Sequence, residues 1–110
     1  MKFLKDDITT SQNLASAVLL STTTYSKAFT SLQVLIKFSV NVTETITITL
    51  DSKAGASYDV VLRKKTLSAE SSFVYESNRN FAAGDNIKIQ CTNANATGTA
   101  YVIVKAKEVG

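Results

Sequence analysis

The stretch Leu32-Gln-Val-Leu-Ile-Lys-Phe-Ser-Val-Asn-Val-Thr-Glu-Thr-Ile-Thr-Ile-Thr-Leu50 decides the fold. Apolar residues occupy every second position: Leu32, Val34, Ile36, Phe38, Val40 and Val42, then Ile46, Ile48 and Leu50. The positions between them are mostly polar, and around Ile46 and Ile48 they are all threonine. A period of two means strands with one face against a core and the other in water. Two strands are therefore expected, Leu32 to Val42 and Thr45 to Leu50. A short turn, Asn41-Val-Thr-Glu44, joins them, and the second strand returns antiparallel.

The same pattern continues outward. Asp51-Ser-Lys-Ala-Gly55-Ala-Ser has turn chemistry, with aspartate at its start and glycine inside. Tyr58 to Thr66 follows as a strand with Tyr58, Val60 and Leu62 on one face. Ser71 to Glu76 alternates through Phe73 and Tyr75, and Ser77-Asn-Arg-Asn80 forms a loop. The turn Phe81-Ala-Ala-Gly84-Asp85 launches Asn86 to Thr92, where Ile87, Ile89 and Cys91 point inward. A second turn through Gly98 leads into Thr99 to Lys107, with Ala100, Val102, Val104 and Ala106 on one face. Upstream, Leu14 to Ser21 is expected to be extended, because Thr22-Thr-Thr24 is a poor helix continuation.

Seven to eight short strands with frequent turns imply an all-β chain, an antiparallel β-sandwich of jelly-roll type. Residues 13–110 make one domain, and residues 1–12 read as an N-terminal arm. The expected core is Val34, Ile36, Phe38, Val40, Ile46, Ile48, Leu50, Val60, Leu62, Phe73, Ile87, Ile89, Val102 and Val104. Leu35, Val61 and Ile103 stand on the opposite faces of their strands. Apolar residues there point to outer faces covered by a second sheet or by neighbouring molecules.

Composition narrows the function classes. The chain has 110 residues, 45% of them hydrophobic, so it is long enough for a core without metal or disulfide staples. Histidine is absent, which removes the usual general base, the commonest metal ligand and every Ser-His or Cys-His arrangement. Four glycines supply no phosphate-cradling loop. No enzyme activity and no cofactor is expected. Cys91 is the single cysteine and reads as a small buried hydrophobe. Asp51, Asp59 and Asp85, with neighbouring asparagines, offer oxygen donors for a calcium ion, yet they fall where turn-forming residues belong and lack EF-hand spacing. Two Asn-X-Thr triplets, at Asn41 and Asn95, read as chance matches in a threonine-rich chain.

Met1-Lys-Phe-Leu-Lys begins like a signal peptide, but Asp6 and Asp7 interrupt it. No apolar run reaches the length of a membrane span. The net charge of +3 is too small and too dispersed for a nucleic-acid footprint. One basic cluster exists, Arg63-Lys64-Lys65. It reads as a charged strand edge that blocks unwanted pairing, or as a contact for an acidic partner surface. In strict alternation Arg63 and Lys65 share a face and Lys64 takes the other. Phe3, Leu4 and Ile8 are too few to build a core element. They suit an arm lying on a neighbouring subunit or on the chain's own sandwich.

The C-terminal half, roughly residues 58–107, carries a resemblance. Ala83-Gly84-Asp85 opens the Ile87, Ile89, Cys91 strand, a small-residue turn runs to Gly98, and Thr99-Ala-Tyr-Val-Ile-Val-Lys105 follows. These strands, rich in Thr, Ser, Ala and Asn, resemble the small β-sandwich structural proteins of tailed bacteriophages that decorate or cement the head or form tail parts. The Gly-Asp lead also occurs in jelly-roll and tumour-necrosis-factor-like sandwiches. The resemblance implies a non-enzymatic virion protein, first a capsid decoration protein. It would be made in the host cytoplasm and be a homo-oligomer, often a trimer, seated on a major capsid or other virion protein. The alternative is a carbohydrate-binding or adhesive module of a tail or cell surface. That reading needs exposed aromatic residues, and only Tyr25, Tyr58, Tyr75 and Tyr101 are candidates.

Overall fold

A computed structural model describes residues 2–4, 8–13, 19–92 and 98–109. Among the described residues nine strands run in the order β1 (Lys2–Leu4), β2 (Ile8–Asn13), β3 (Leu19–Thr24), β4 (Phe29–Val42), β5 (Thr45–Asp51), β6 (Val60–Thr66), β7 (Glu70–Ser77), β8 (Asn86–Cys91) and β9 (Thr99–Val109). A 3-10 turn, Ala56–Tyr58, precedes β6. One sheet has the order β2-β9-β4-β7, with β1 pairing further along β9; the other has β3-β8-β5-β6. All pairings are antiparallel. Apart from the β5-β6 hairpin, strands β2 to β9 alternate between the two sheets, as in a jelly roll. The expected β-sandwich is present.

Strands β4 and β5 run one after the other but do not pair. They lie in opposite sheets. Both bury the face that carries their apolar alternation, so the chain arches across the core at Thr43 and Glu44 instead of forming a hairpin. The inward positions are mostly valine and isoleucine, whose branched side chains suit the pleated surface. Val34, Ile36, Ile46 and Ile48 are all 2% exposed or less. Ile87, Ile89, Val102 and Val104 share this core and are equally buried.

One end of the sandwich is closed by aromatic rings. Tyr25 and Phe29 lie 4.1 Å apart centroid to centroid, and Phe29 stacks on Phe81 at 4.7 Å. Backbone bonds tie these segments together: Phe29 and Phe81 exchange both N–H···O bonds, at 3.1 and 2.8 Å, and Gly84 N–H donates to the Tyr25 carbonyl at 2.8 Å. Leu32, Val42, Leu67, Ala100 and Ala106 add to the core.

Four expected core positions differ. Val40 is 43% and Val60 45% exposed, while Leu50 and Leu62 are only half-buried. Val40 lies beyond Phe38, where the pairing of β4 with β9 ends. Val60 and Leu62 lie on β6, an edge strand that overhangs the core. A register shift between Ile48 and Thr49 makes Leu62 a bulged residue, so Arg63, not Leu62, sits opposite Ile48. Tyr58 belongs to the 3-10 turn, not to the strand, and is 66% exposed.

Candidate functional site

The basic cluster lies wholly on β6. Arg63 pairs with Ile48 and Lys65 with Ile46, whereas Lys64 pairs with Thr47. Arg63 and Lys65 therefore share the inward side and Lys64 takes the outer side. All three are exposed, because the strand overhangs the core. Among the described residues the strand pairs only with β5, so its other edge is open and its charges stand along that edge.

The N-terminal candidates are elsewhere. Phe3 and Leu4 align with Glu108 and Lys107, and Ile8 with Val104, so the backbone of both segments adds to β9 of the same chain. They occupy the margin of one sheet, and β6 occupies a margin of the other. The fold does not bring Phe3, Leu4 and Ile8 together with Arg63, Lys64 and Lys65.

Two carboxylates flagged by the sequence serve local structure. Asp85 is 7% exposed and accepts from Lys53 N–H at 3.1 Å and Ala82 N–H at 3.0 Å. Asp59 accepts from Ser52 N–H at 2.8 Å. These carboxylates hold turns, and among the described residues no group of three or more acidic or cysteine side chains is placed to hold a metal ion. Asn41 is exposed, and Asn95 lies outside the described residues.

Glu44, at the arch between β4 and β5, is buried at 1% exposure, a position that its charge did not advertise. Its carboxylate accepts from the Thr92 hydroxyl at 2.7 Å, and its carbonyl from Leu67 N–H at 2.7 Å. The Thr92 hydroxyl in turn accepts from Thr45 N–H at 2.9 Å. Cys91 beside it is 3% exposed. Burial first, and the Glu44 carboxylate second, push its thiol up to about 11. A thiol held protonated is a poor nucleophile. The cluster latches the arch.

Among the described residues, the outer faces of the two sheets have different chemistry. The β5 face presents Thr45, Thr47 and Thr49, and the Thr45 hydroxyl is 2.9 Å from that of Thr66. The β4 face is apolar at its centre. There Val74, Leu35 and Ile103 form one cross-strand row, and Lys37 pairs with Tyr101 in the next. Val74 is 56% and Tyr101 50% exposed. The ground between these rows is a shallow groove lined by Leu35, Lys37, Val74, Tyr101 and Ile103. Leu35 and Ile103 were visible in the sequence as apolar residues out of phase. Tyr101, a candidate exposed aromatic residue, shares the Ile103 face by alternation along β9, whereas only strand order sets Val74 beside Leu35.

The tyrosines divide by burial. Tyr25 is buried and Tyr75 half-buried. Exposed Tyr58 leads into one sheet and exposed Tyr101 lies on the other, so they do not share a flat platform.

No protein-family model matches the chain, and the curated proteins contain no sequence match to it. Solved structures do match in shape. A chain carrying the CBM22-1 and GH10 modules of a Clostridium thermocellum endo-1,4-beta-D-xylanase, complexed with xylohexaose, matches in part with a TM-score of 0.52 at 13% identity. The match covers 99% of this chain but only 26% of the xylanase chain. A protein of Bacillus endospore appendages, which form disulfide-linked pili, gives 0.53 at 17% identity, covering 99% of this chain and 90% of that one. A chain of infectious bursal disease virus, Gx strain, gives 0.46 at 13% identity over 98% and 36%. What the chain shares with the first two is its architecture: it is a jelly-roll β-sandwich.

Proposed function

We propose that this chain is a non-enzymatic structural subunit of a virion, most specifically a capsid decoration (cement) protein of a phage head. It acts by burying surface against copies of itself and against a major capsid protein. The observation that carries the reading is the apolar row Val74, Leu35 and Ile103 on an outer sheet face. A face of this kind gains free energy when a protein surface covers it. The open, basic edge of β6 supplies a second contact, suited to an acidic surface on the underlying shell. The texture of residues 58–107 supports the phage assignment. Fold likeness adds nothing to it, because one fold hosts many functions.

Mass spectrometry of purified particles tests the reading. The chain should be present at a copy number comparable to the major capsid protein, and particles lacking it should burst at lower temperature. Its absence from particles would remove the proposal.

The second reading, a carbohydrate-binding or adhesive module, rests on Tyr101, which stands 50% exposed beside the hydroxyl-bearing Thr9 and Ser11. A ring flanked by hydroxyls suits a sugar face. Retardation of the protein in polysaccharide-loaded gels, lost in Tyr101→Ala, would favour it over the capsid reading.

A further inference from the structure

The outer face of the β2-β9-β4-β7 sheet has an internal symmetry over its three strands β9, β4 and β7, beyond which β2 adds Thr9 next to Ile103 and Ser11 next to Tyr101. Three rows cross it. The first is Glu76, Gln33 and Lys105; the second is Val74, Leu35 and Ile103; the third is Ser72, Lys37 and Tyr101. Over these three strands the middle residue of each row belongs to β4. The apolar row is balanced about Leu35, with one branched aliphatic residue on either side. The first row is unlike at its ends, with an acid on β7 and a base on β9.

We propose that this face binds a second copy of the same chain about a two-fold axis running along β4 over Leu35. Turning a copy about that axis and laying it face to face reverses each row. Leu35 then meets Leu35 of the second copy, and Val74 meets its Ile103. Glu76 meets Lys105 of the second copy, and Lys105 meets its Glu76. An isologous contact requires such a surface, and here the apolar row and the charged row each find their complement in the same patch turned over. Aligned sheets cross at roughly 30°. The long Glu and Lys side chains span the resulting offset, while the aliphatic row near the axis is displaced least. The groove beside Leu35 receives the opposing Leu35 side chain.

One position opposes the contact. Lys37 lies on the axis and so faces Lys37 of the second copy. It is exposed and sits at the border of the apolar row, where a long side chain reaches water. The geometry therefore requires that removing its charge tighten the dimer.

The inference deepens the self-association part of the proposed function and rests on that part alone. A dimer that never enters particles would leave it standing and remove the virion reading. Particles built from copies that do not use this face would do the reverse.

Sedimentation equilibrium of the full chain, from about 1 μM to about 1 mM, tests it, with circular dichroism confirming that each variant folds. The expected result is a monomer–dimer equilibrium. Leu35→Glu should weaken it by about a hundredfold or more. Glu76→Lys should weaken it by about tenfold, and adding Lys105→Glu in the same chain should restore it. Lys37→Gln should strengthen it. A monomer throughout, a trimer, a dimer indifferent to Leu35→Glu, or a double charge exchange that fails to recover would each overturn the proposal.

Discussion

Gly98 lies directly against Val40: a Cβ placed on Gly98 would stand 2.8 Å from Val40 Cγ2 and 3.1 Å from Ser39 Oγ. The same Ser39 hydroxyl accepts from Thr99 N–H at 2.8 Å. Gly98 also has φ +86°, a conformation that side-chain-bearing residues avoid. The contact sets where β9 begins against the far end of β4, and it accounts for Val40, whose side chain lies over a glycine at the margin of the core.

Gly98→Ala should therefore destabilise the fold by about 2 kcal/mol, from overlap plus backbone strain. Urea denaturation measures it. Val40→Ala in the same chain should return part of the loss, because it removes the overlap and leaves the strain. Equal stability of Gly98→Ala and the parent would show that the approach is not as close as described.

Asp85 ties two loops together through its bonds to Lys53 and Ala82. Asp85→Ala leaves two N–H donors without their acceptor in a buried setting and should cost about 2–3 kcal/mol. Asp85→Asn keeps one acceptor oxygen and should cost less. Hydrogen exchange at the amides of Lys53 and Ala82 should accelerate in both variants. Unchanged exchange would mean that the carboxylate does not hold these turns.

Ile48 and Val60 were both expected in the core, and the structure separates them, at 0% and 45% exposure. Ile48→Ala should cost about 2–5 kcal/mol through the cavity it opens. Val60→Ala should stay within about 0.5–1 kcal/mol. A similar loss for the two variants would argue that β6 is covered along the side described as open.

The raised thiol of Cys91 makes stability depend on alkaline pH. Folded Cys91 titrates at about 11 and the unfolded thiol near 9.0. Between these values the unfolded chain has lost the proton that the folded chain keeps. Stability from this group is therefore complete below pH 9 and falls as pH rises towards 11, by an amount on the order of 1–2 kcal/mol. Subtracting the pH profile of Cys91→Ala removes the contributions of lysines and tyrosines. A flat difference between about pH 8 and 11 would contradict the buried, protonated thiol. The same burial predicts that iodoacetamide labels Cys91 in the native protein far more slowly than in urea.

The alternation from Leu32 to Leu50 determined a great deal without help. Strand identity and the inward face of β4, β5, β8 and β9 follow from a period of two, because a pleated chain has only two sides. The absence of histidine and of glycine-rich loops from the given sequence was equally plain. The sandwich itself follows from the number of half-apolar strands that must share one core.

Tertiary structure alone decided the rest. That β4 and β5 face each other across the core, instead of pairing, depends on strand order, which local patterns do not encode. The exposure of Val60 and the shift at Leu62 arise because β6 ends up at an edge with a bulge, and an identical sequence in a central strand would be buried. Glu44 reads in the sequence as the end of a turn and is in the fold part of a latch, since Thr92 reaches it from 48 residues away. The outer-face row is the sharpest case. Leu35 and Ile103 carried a signal in the sequence, but Val74 beside Leu35 and Glu76 in line with Lys105 are facts of register between distant strands. Periodicity is a property of one strand, whereas a surface is made by several, and only the packed sheets say which residues become neighbours.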